Sequence, residues 1–249
     1  MNILTLIGAA FIGLSLGLTG AGGSIITLPV LVYIAGVPAH EAVGISLFVV
    51  GIAALVGAIQ RIRLGEFHAS AALMFGTSGM MGAMIGARLT SLVSGQVLLI
   101  FFAVLMLVVA LNMLLGAKKD LTLPAECRLL RCLLAGLGVG VLTGFIGVGG
   151  GFLLVPALIK FARLPVRTAT GTSLTVIAFN SASGFYSHFG QAPPHWSLAL
   201  IFALMAVAGV VVGTAFASRL PAKRLQQVFA ILVLTTGTYV LWQNVHSLS

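Results

Sequence analysis

Charge is scarce in this chain. Only four of its 249 residues are acidic, against 13 Lys and Arg, and charged residues make up 7% of the whole. A water-soluble domain carries about a quarter, so the chain lacks the polar surface to clothe a globule. The acids are Glu41, Glu66, Asp120 and Glu126, all between apolar segments or in a central linker. A cation carrier ordinarily holds a carboxylate inside the membrane. A cation substrate is therefore disfavoured, and proton coupling through a buried acid is hard to build. Cysteine is limited to Cys127 and Cys132, which read as unpaired reduced thiols facing the cytosol. No His/Cys/Asp/Glu group has metal spacing, and no nucleophile lies beside a base. No metal, cofactor or catalytic residue is expected, and the chain is not read as an enzyme. His40, His188 and His195 read as surface histidines.

What is present is apolar. Hydrophobic residues are 59% of the chain and the mean hydropathy is +1.17. Successive segments fill almost the whole length, near 3–19, 24–36, 42–60, 68–87 and 95–116, then 129–146, 151–162, 168–187, 196–217 and 225–245. An all-α polytopic protein of the cell (inner) membrane follows, with lipid as its surroundings. The first segment has no Lys or Arg before it and reads as a native segment rather than a cleavable signal peptide. The net charge of +9 suggests nucleic acid, but the basic residues sit in short loops, where the positive-inside rule accounts for them. No nucleic-acid partner is expected; a homodimer is compatible with the sequence.

The most informative feature occurs twice. Gly20-Ala-Gly22-Gly23-Ser24 runs to Pro29, and Gly147-Val-Gly149-Gly150-Gly151 runs to Pro156, at an offset of 127 residues. Over 20–57 against 147–184, 13 of 38 positions are identical. Three glycines in four residues interrupt a helix. The interruption frees backbone N–H groups at the positive end of the next helix, which suit an anion. Paired broken helices in the two halves of a membrane chain point to a transporter binding site. The competing reading is close helix packing, for which Gly82-x-x-x-Gly86 and Gly209-x-x-x-Gly213 are the natural candidates.

Three segments follow: a first membrane repeat at 1–117, a cytoplasmic linker at 118–127 and a second repeat at 128–249. Lys118, Lys119, Arg128 and Arg131 put the linker in the cytoplasm. Counting outward, the loops with Arg61 and Arg63, with Lys160, Arg163 and Arg167, and with Arg219, Lys223 and Arg224 are cytoplasmic too. Loops 36–41 and 188–195 carry no Lys or Arg and fall outside. Loop 36–41 corresponds to 163–168 on the opposite side, so the halves are inverted and both termini face outside. Each half then crosses five times, or three times with a re-entrant hairpin.

A second cluster opens the third segment of each half, as Gly44-Ile-Ser46 and Gly171-Thr172-Ser173. Hydroxyls there can bind an oxyanion, or bond their own helix. Asn180 has no counterpart, because Ala53 stands in its place, so the site is expected to be asymmetric. Arg88 is the candidate cation for the anion; as a residue at a segment end it also reads as an interfacial snorkelling group.

Taken in order, the two Gly-x-Gly-Gly-(Gly/Ser)-x-x-x-x-Pro breaks, the Gly-Thr-Ser at 171–173 and the tandem halves resemble the sulfite exporter TauE/SafE family of membrane permeases, over about residues 8–245. The resemblance implies export or uptake of sulfite, sulfonates or other small anions. It implies a central anion held by Gly22, Gly23 and Ser24, by Gly149, Gly150 and Gly151, and by Gly171, Thr172 and Ser173. The first half departs from the pattern at Ser24 and at Gly44-Ile-Ser46, which lacks the central Thr. The expectation is a secondary transporter, an exporter of a small anion, working by alternating access at a midplane site. An anion channel of the same fold, or a membrane-embedded sulfur-transfer or accessory protein using Cys127 or Cys132, are the alternatives.

Overall fold

Among the described residues, ten α-helices follow the expected segments closely. The computed structural model describes residues 3–115, 129–146, 151–188, 196–217 and 219–246, and no strand occurs among them. The helices are α1 Ile3–Thr19, α2 Gly22–Pro29, α3 Ala39–Arg63, α4 Ala69–Thr90, α5 Gly95–Leu115, α6 Leu129–Ile146, α7 Gly151–Phe161, α8 Val166–His188, α9 Trp196–Ala217 and α10 Ala222–His246. The helix α3 outruns its apolar segment at both ends, with Glu41 in its first turn and Arg61 and Arg63 in its last. Those charges complement the helix dipole. By length and composition α3, α4, α6 and α9 can each cross a membrane.

The first glycine break is a reversal of the chain. Gly22 lies against Ser15 and Thr19, Gly23 against Ile12 and Leu16, and Gly8 against Val30. Helix α2 therefore runs back along α1, and the pair is a helical hairpin. Proline at position 29 has no N–H to give, and beyond it the backbone widens into a π turn, Val30–Ile34, closed by Ala35 N donating to Val30 O at 2.9 Å. At 1.5 Å per residue, the 11 residues of α7 span about 16 Å, half of a hydrocarbon core of about 30 Å.

Glycine stripes hold the long helices together. A Cβ at Gly82 or Gly86 would overlap the α6 backbone at Leu137 or Val141, and one at Gly209 or Gly213 the α1 backbone at Ala10 or Leu14. These motifs serve close packing. Helix α1 packs on α9 and α4 on α6; α3 packs on both α8 and α9, α4 on α8, α5 on α10 and α2 on α7. Adding 127 to the first residues of α3, α4 and α5 gives those of α8, α9 and α10. Under that exchange every pairing maps onto itself or onto another of the set.

Polarity is distributed inside out. Leu73, Leu92, Leu130 and Leu204 are more than 60% exposed, whereas Ser24, Thr27, Ser46, Thr172, Ser173 and Asn180 are buried. An apolar exterior of this extent belongs in lipid.

Candidate functional site

The Thr19 hydroxyl braces the turn of the first hairpin from within. Thr19 Oγ1 accepts from Gly22 N at 2.7 Å and from Ala21 N at 3.4 Å, and donates to Ser15 O at 2.8 Å. It caps α2 from inside the turn. Gly20 has φ +71°, a left-handed conformation that favours glycine. Ser24 Oγ donates to Ala21 O at 2.7 Å.

The second break meets the first at the start of α7. A Cβ on Gly151 would lie 2.8 Å from Ala21 Cα and 2.9 Å from both Ser24 Oγ and Ile177 Cδ1. Ile177 is half-way along α8, so the two breaks touch at the middle of the bundle. Gly149 and Gly150 lie outside the described residues.

Helix α8 joins the same centre. Ser173 Oγ donates to Gly20 O at 2.9 Å and to Thr170 O at 2.8 Å. Thr172 Oγ1 accepts from His68 N at 3.0 Å, and Gly171 sits flush under the Glu66 carbonyl, where a Cβ would overlap it. The cluster Gly171, Thr172 and Ser173 thus clasps the loop after α3 and the turn after α1. Its counterpart behaves differently: Gly44 faces open space, and Ser46, fully buried, has no hydrogen-bond partner.

Asn180 is 1% exposed, and neither its Oδ1 nor its Nδ2 finds a partner. It faces Gly79 of α4, where an added Cβ would meet its amide. Leaving a buried amide unpaired costs about 1–3 kcal/mol per group, and such groups in a native protein call for an explanation. Ser15 Oγ, beside Gly22, is likewise buried and unpartnered. Ser15 escaped the sequence reading because nothing marks it: position 142 in the second half is Leu.

The family model for the sulfite exporter TauE/SafE family matches residues 5–240. The chain belongs to this family. It is 34% identical over 253 residues to a protein of Xylella fastidiosa (strain Temecula1) described as a probable membrane transporter protein, covering 99% of this chain and 97% of that one. It is 25% identical over 255 residues to the probable membrane transporter protein YunE of Bacillus subtilis, covering 92% and 93%. A probable membrane transporter protein of Methanocaldococcus jannaschii shares 27% over 191 residues, covering 74% of this chain and 71% of that protein. No solved structure matches. The chain is therefore an integral membrane protein of a transporter family.

Within this TauE/SafE chain three expectations need correction or placement. Arg88 is exposed on the last turn of α4 while Thr90, two residues on, is buried; the fold does not gather Arg88 with the buried cluster. Cys132 is buried and disulfide-bonded rather than a reduced thiol, and Cys127 lies outside the described residues. Arg61, expected in a water-facing loop, is wholly buried. It pairs with Glu66, whose side chain is 14% exposed. Ala54, Gly57, Ala58 and Arg61 share the buried stripe of α3; that helical spacing was the available signal for an inward-facing arginine.

Proposed function

We propose that this TauE/SafE chain is a secondary transporter, an exporter of a small anion of the sulfite or organosulfonate class. The observation that carries this reading is the meeting of the two glycine breaks half-way along α8, where Gly151 touches Ala21 and Ser24. Two helix N-termini directed at one point favour negative charge there. Beside Gly22, Ser15 keeps a buried hydroxyl without a partner, as do Ser46 on α3 and, one turn beyond Ile177 on α8, the amide of Asn180, donors that an oxyanion would use. Gly22, Gly23, Ser24, Gly149, Gly150, Gly151, Gly171, Thr172 and Ser173 are the proposed frame of the site.

The pairing of helices under the 127-residue exchange supports two repeats, bounded at 1–117 and 128–249. With a re-entrant hairpin each repeat crosses three times, so the repeats are inverted, the linker is cytoplasmic and both termini lie outside. Because the breaks are in contact, an anion enters only when the halves part, which favours a carrier over an open pore. A negative-inside potential drives anion exit at about 2.3 kcal/mol per charge per 100 mV, without a protein carboxylate for a coupling ion.

The test is anion-dependent thermal stabilisation of the purified protein at matched ionic strength, with sulfite, sulfate, thiosulfate, sulfoacetate, taurine and short carboxylates. A selective shift for one anion, followed by saturable counterflow in liposomes, supports the carrier. Conductance far above carrier rates would instead identify a channel.

A further inference from the structure

Helices α3 and α8 cross at a level that two matching contacts define. A Cβ added at Gly57 of α3 would lie 3.2 Å from Leu174 Cδ1 of α8, and one at Gly184 of α8 would lie 3.3 Å from Leu47 Cδ1 of α3. The 127-residue offset carries Leu47 to Leu174 and Gly57 to Gly184, so each contact is the counterpart of the other. The order runs oppositely along the two helices, which are therefore antiparallel. Ile52 and Phe179 stand half-way between the two contacts. In an inverted pair of repeats the axis relating the halves lies in the membrane plane, with the substrate site at the repeat interface. The level of Ile52 and Phe179 is where that axis passes.

Asn180 and Ser181 follow Phe179 directly. They are 1% and 0% exposed, and Asn180 Oδ1, Asn180 Nδ2 and Ser181 Oγ have no hydrogen-bond partner. Their counterparts, Ala53 and Ala54, are apolar, so only α8 brings side-chain hydrogen-bonding groups to these two positions. Gly79 of α4 makes room for the amide. A Cβ there would lie 2.5 Å from Asn180 Oδ1, whereas the position equivalent to Gly79 is Ala206.

An amide asks for more than an anion gives. Nδ2 donates, but Oδ1 only accepts. A fully deprotonated oxyanion offers acceptors alone, so it serves Nδ2 and leaves Oδ1 buried and unpaired, which is unfavourable. A hydroxyl both donates and accepts, and so can serve Oδ1 while accepting from Nδ2 or Ser181. An ammonium group fits less well. It brings three donors, and neither described acid lies at this level: Glu41 is in the first turn of α3 and Glu66 pairs with Arg61 beyond its end. Charge is limited too. Among the described residues Lys and Arg stand at helix ends or between helices, as do Arg61, Arg88 and Lys160 in the last turns of α3, α4 and α7. Neutral donors and helix ends suit one negative charge better than two.

Ile177 lies against Gly151 at the start of α7, and Asn180 is three residues on, about 4.5 Å along the helix axis. A hydroxyl on a short carbon chain from the anionic group spans that distance. We propose that Asn180 is the specificity-determining residue of the central site. It selects a singly charged organic oxyanion that bears a hydroxyl, with the anionic group at the glycine breaks and the hydroxyl donating to Asn180 Oδ1. The inference rests on the anion-carrier reading and narrows its substrate class.

The experiment measures the unfolding midpoint of the full-length protein in detergent against anion concentration, at constant pH and ionic strength. Two matched pairs are compared, isethionate with propanesulfonate and glycolate with propionate. Within each pair a hydroxyl stands in place of a methyl group, and both members carry a single charge. Sulfate is the dianion. In the parent the hydroxylated member of at least one pair half-saturates at about tenfold lower concentration than its partner, the scale of one buried acceptor left unpaired, and sulfate binds more weakly than that member. In Asn180→Leu the tenfold ratio falls to about one. Should Asn180→Leu not fold, Asn180→Ala, which copies Ala53 of the first half, reads the same ratio. A parent that does not distinguish the members of either pair, as a water held by the amide would allow, overturns the inference and leaves the anion-carrier reading standing. So does a preference that survives in the Asn180 variants, a folded variant that binds neither member, or sulfate binding more tightly than the hydroxylated anions. No response of the parent to any anion overturns both.

Discussion

Ser173 of α8 donates to the carbonyl of Gly20, 2.9 Å away, and so fastens the second half to the turn where the first half reverses. The bond joins a residue of one proposed anion-binding motif to a residue of another. Its hydroxyl also reaches Thr170 O at 2.8 Å. Replacement by alanine leaves the Gly20 carbonyl without this donor and should cost about 1–2 kcal/mol. Ser173→Ala should unfold at a lower temperature and bind anion more weakly; equal binding by variant and parent would remove Ser173 from the site.

Asn180 separates stability from function. Both atoms of its amide are buried without partners, so removing them relieves a penalty of about 1–3 kcal/mol per group. Asn180→Leu keeps much of the shape. It should match or exceed the parent in thermal stability while losing anion flux. A variant that loses stability and keeps flux would mean that the amide is structural.

Thr19 caps the hairpin by accepting from both Gly22 N and Ala21 N. Thr19→Val keeps the shape and removes the acceptor. The expected loss is about 1–2 kcal/mol, the range of an N-cap, read by thermal unfolding, with a matching fall in anion affinity because the start of α2 is no longer held.

Two glycines only two residues apart in α6, and so on different faces, should respond oppositely. A Cβ at Gly140 would overlap the Gly79 backbone of α4, whereas one at Gly138 meets nothing within 4 Å. Gly140→Ala should destabilise the protein by about 1–3 kcal/mol through overpacking. Gly138→Ala should be neutral or slightly stabilising, since alanine is the better helix former by about 1 kcal/mol. Thermal unfolding of the two side by side checks both.

Much of the fold was legible because it depends on local composition. Apolar runs long enough for lipid must be helical, since every backbone group there needs an internal partner, and segment ends near 19, 146, 196 and 217 coincide with the helix ends. The 127-residue offset could be read directly, because duplicated glycines, prolines and serines keep their spacing. Asn180 stood out as polar where its counterpart is Ala53, and its amide is indeed buried without partners.

Packing decided the rest. Whether Gly20–Gly23 merely interrupt a helix or turn a hairpin depends on which surface α2 meets, and only the contacts of Gly22 and Gly23 with α1, and of Gly8 on α1 with Val30, distinguish them. Basic residues near segment ends look alike in sequence, yet Arg61 points inward to Glu66 and Gly17 while Arg88 stays exposed. A side chain's face is set by how its helix is rotated against neighbours 40 to 100 residues distant. Ser46 and Ser173 match across the duplication, but Ser173 is bonded and Ser46 is not, because their surroundings come from opposite halves of the chain. Composition and spacing dictate an apolar helical membrane bundle with glycine breaks at a 127-residue offset; the partner of each buried polar atom is a long-range property that arises only when the helices pack.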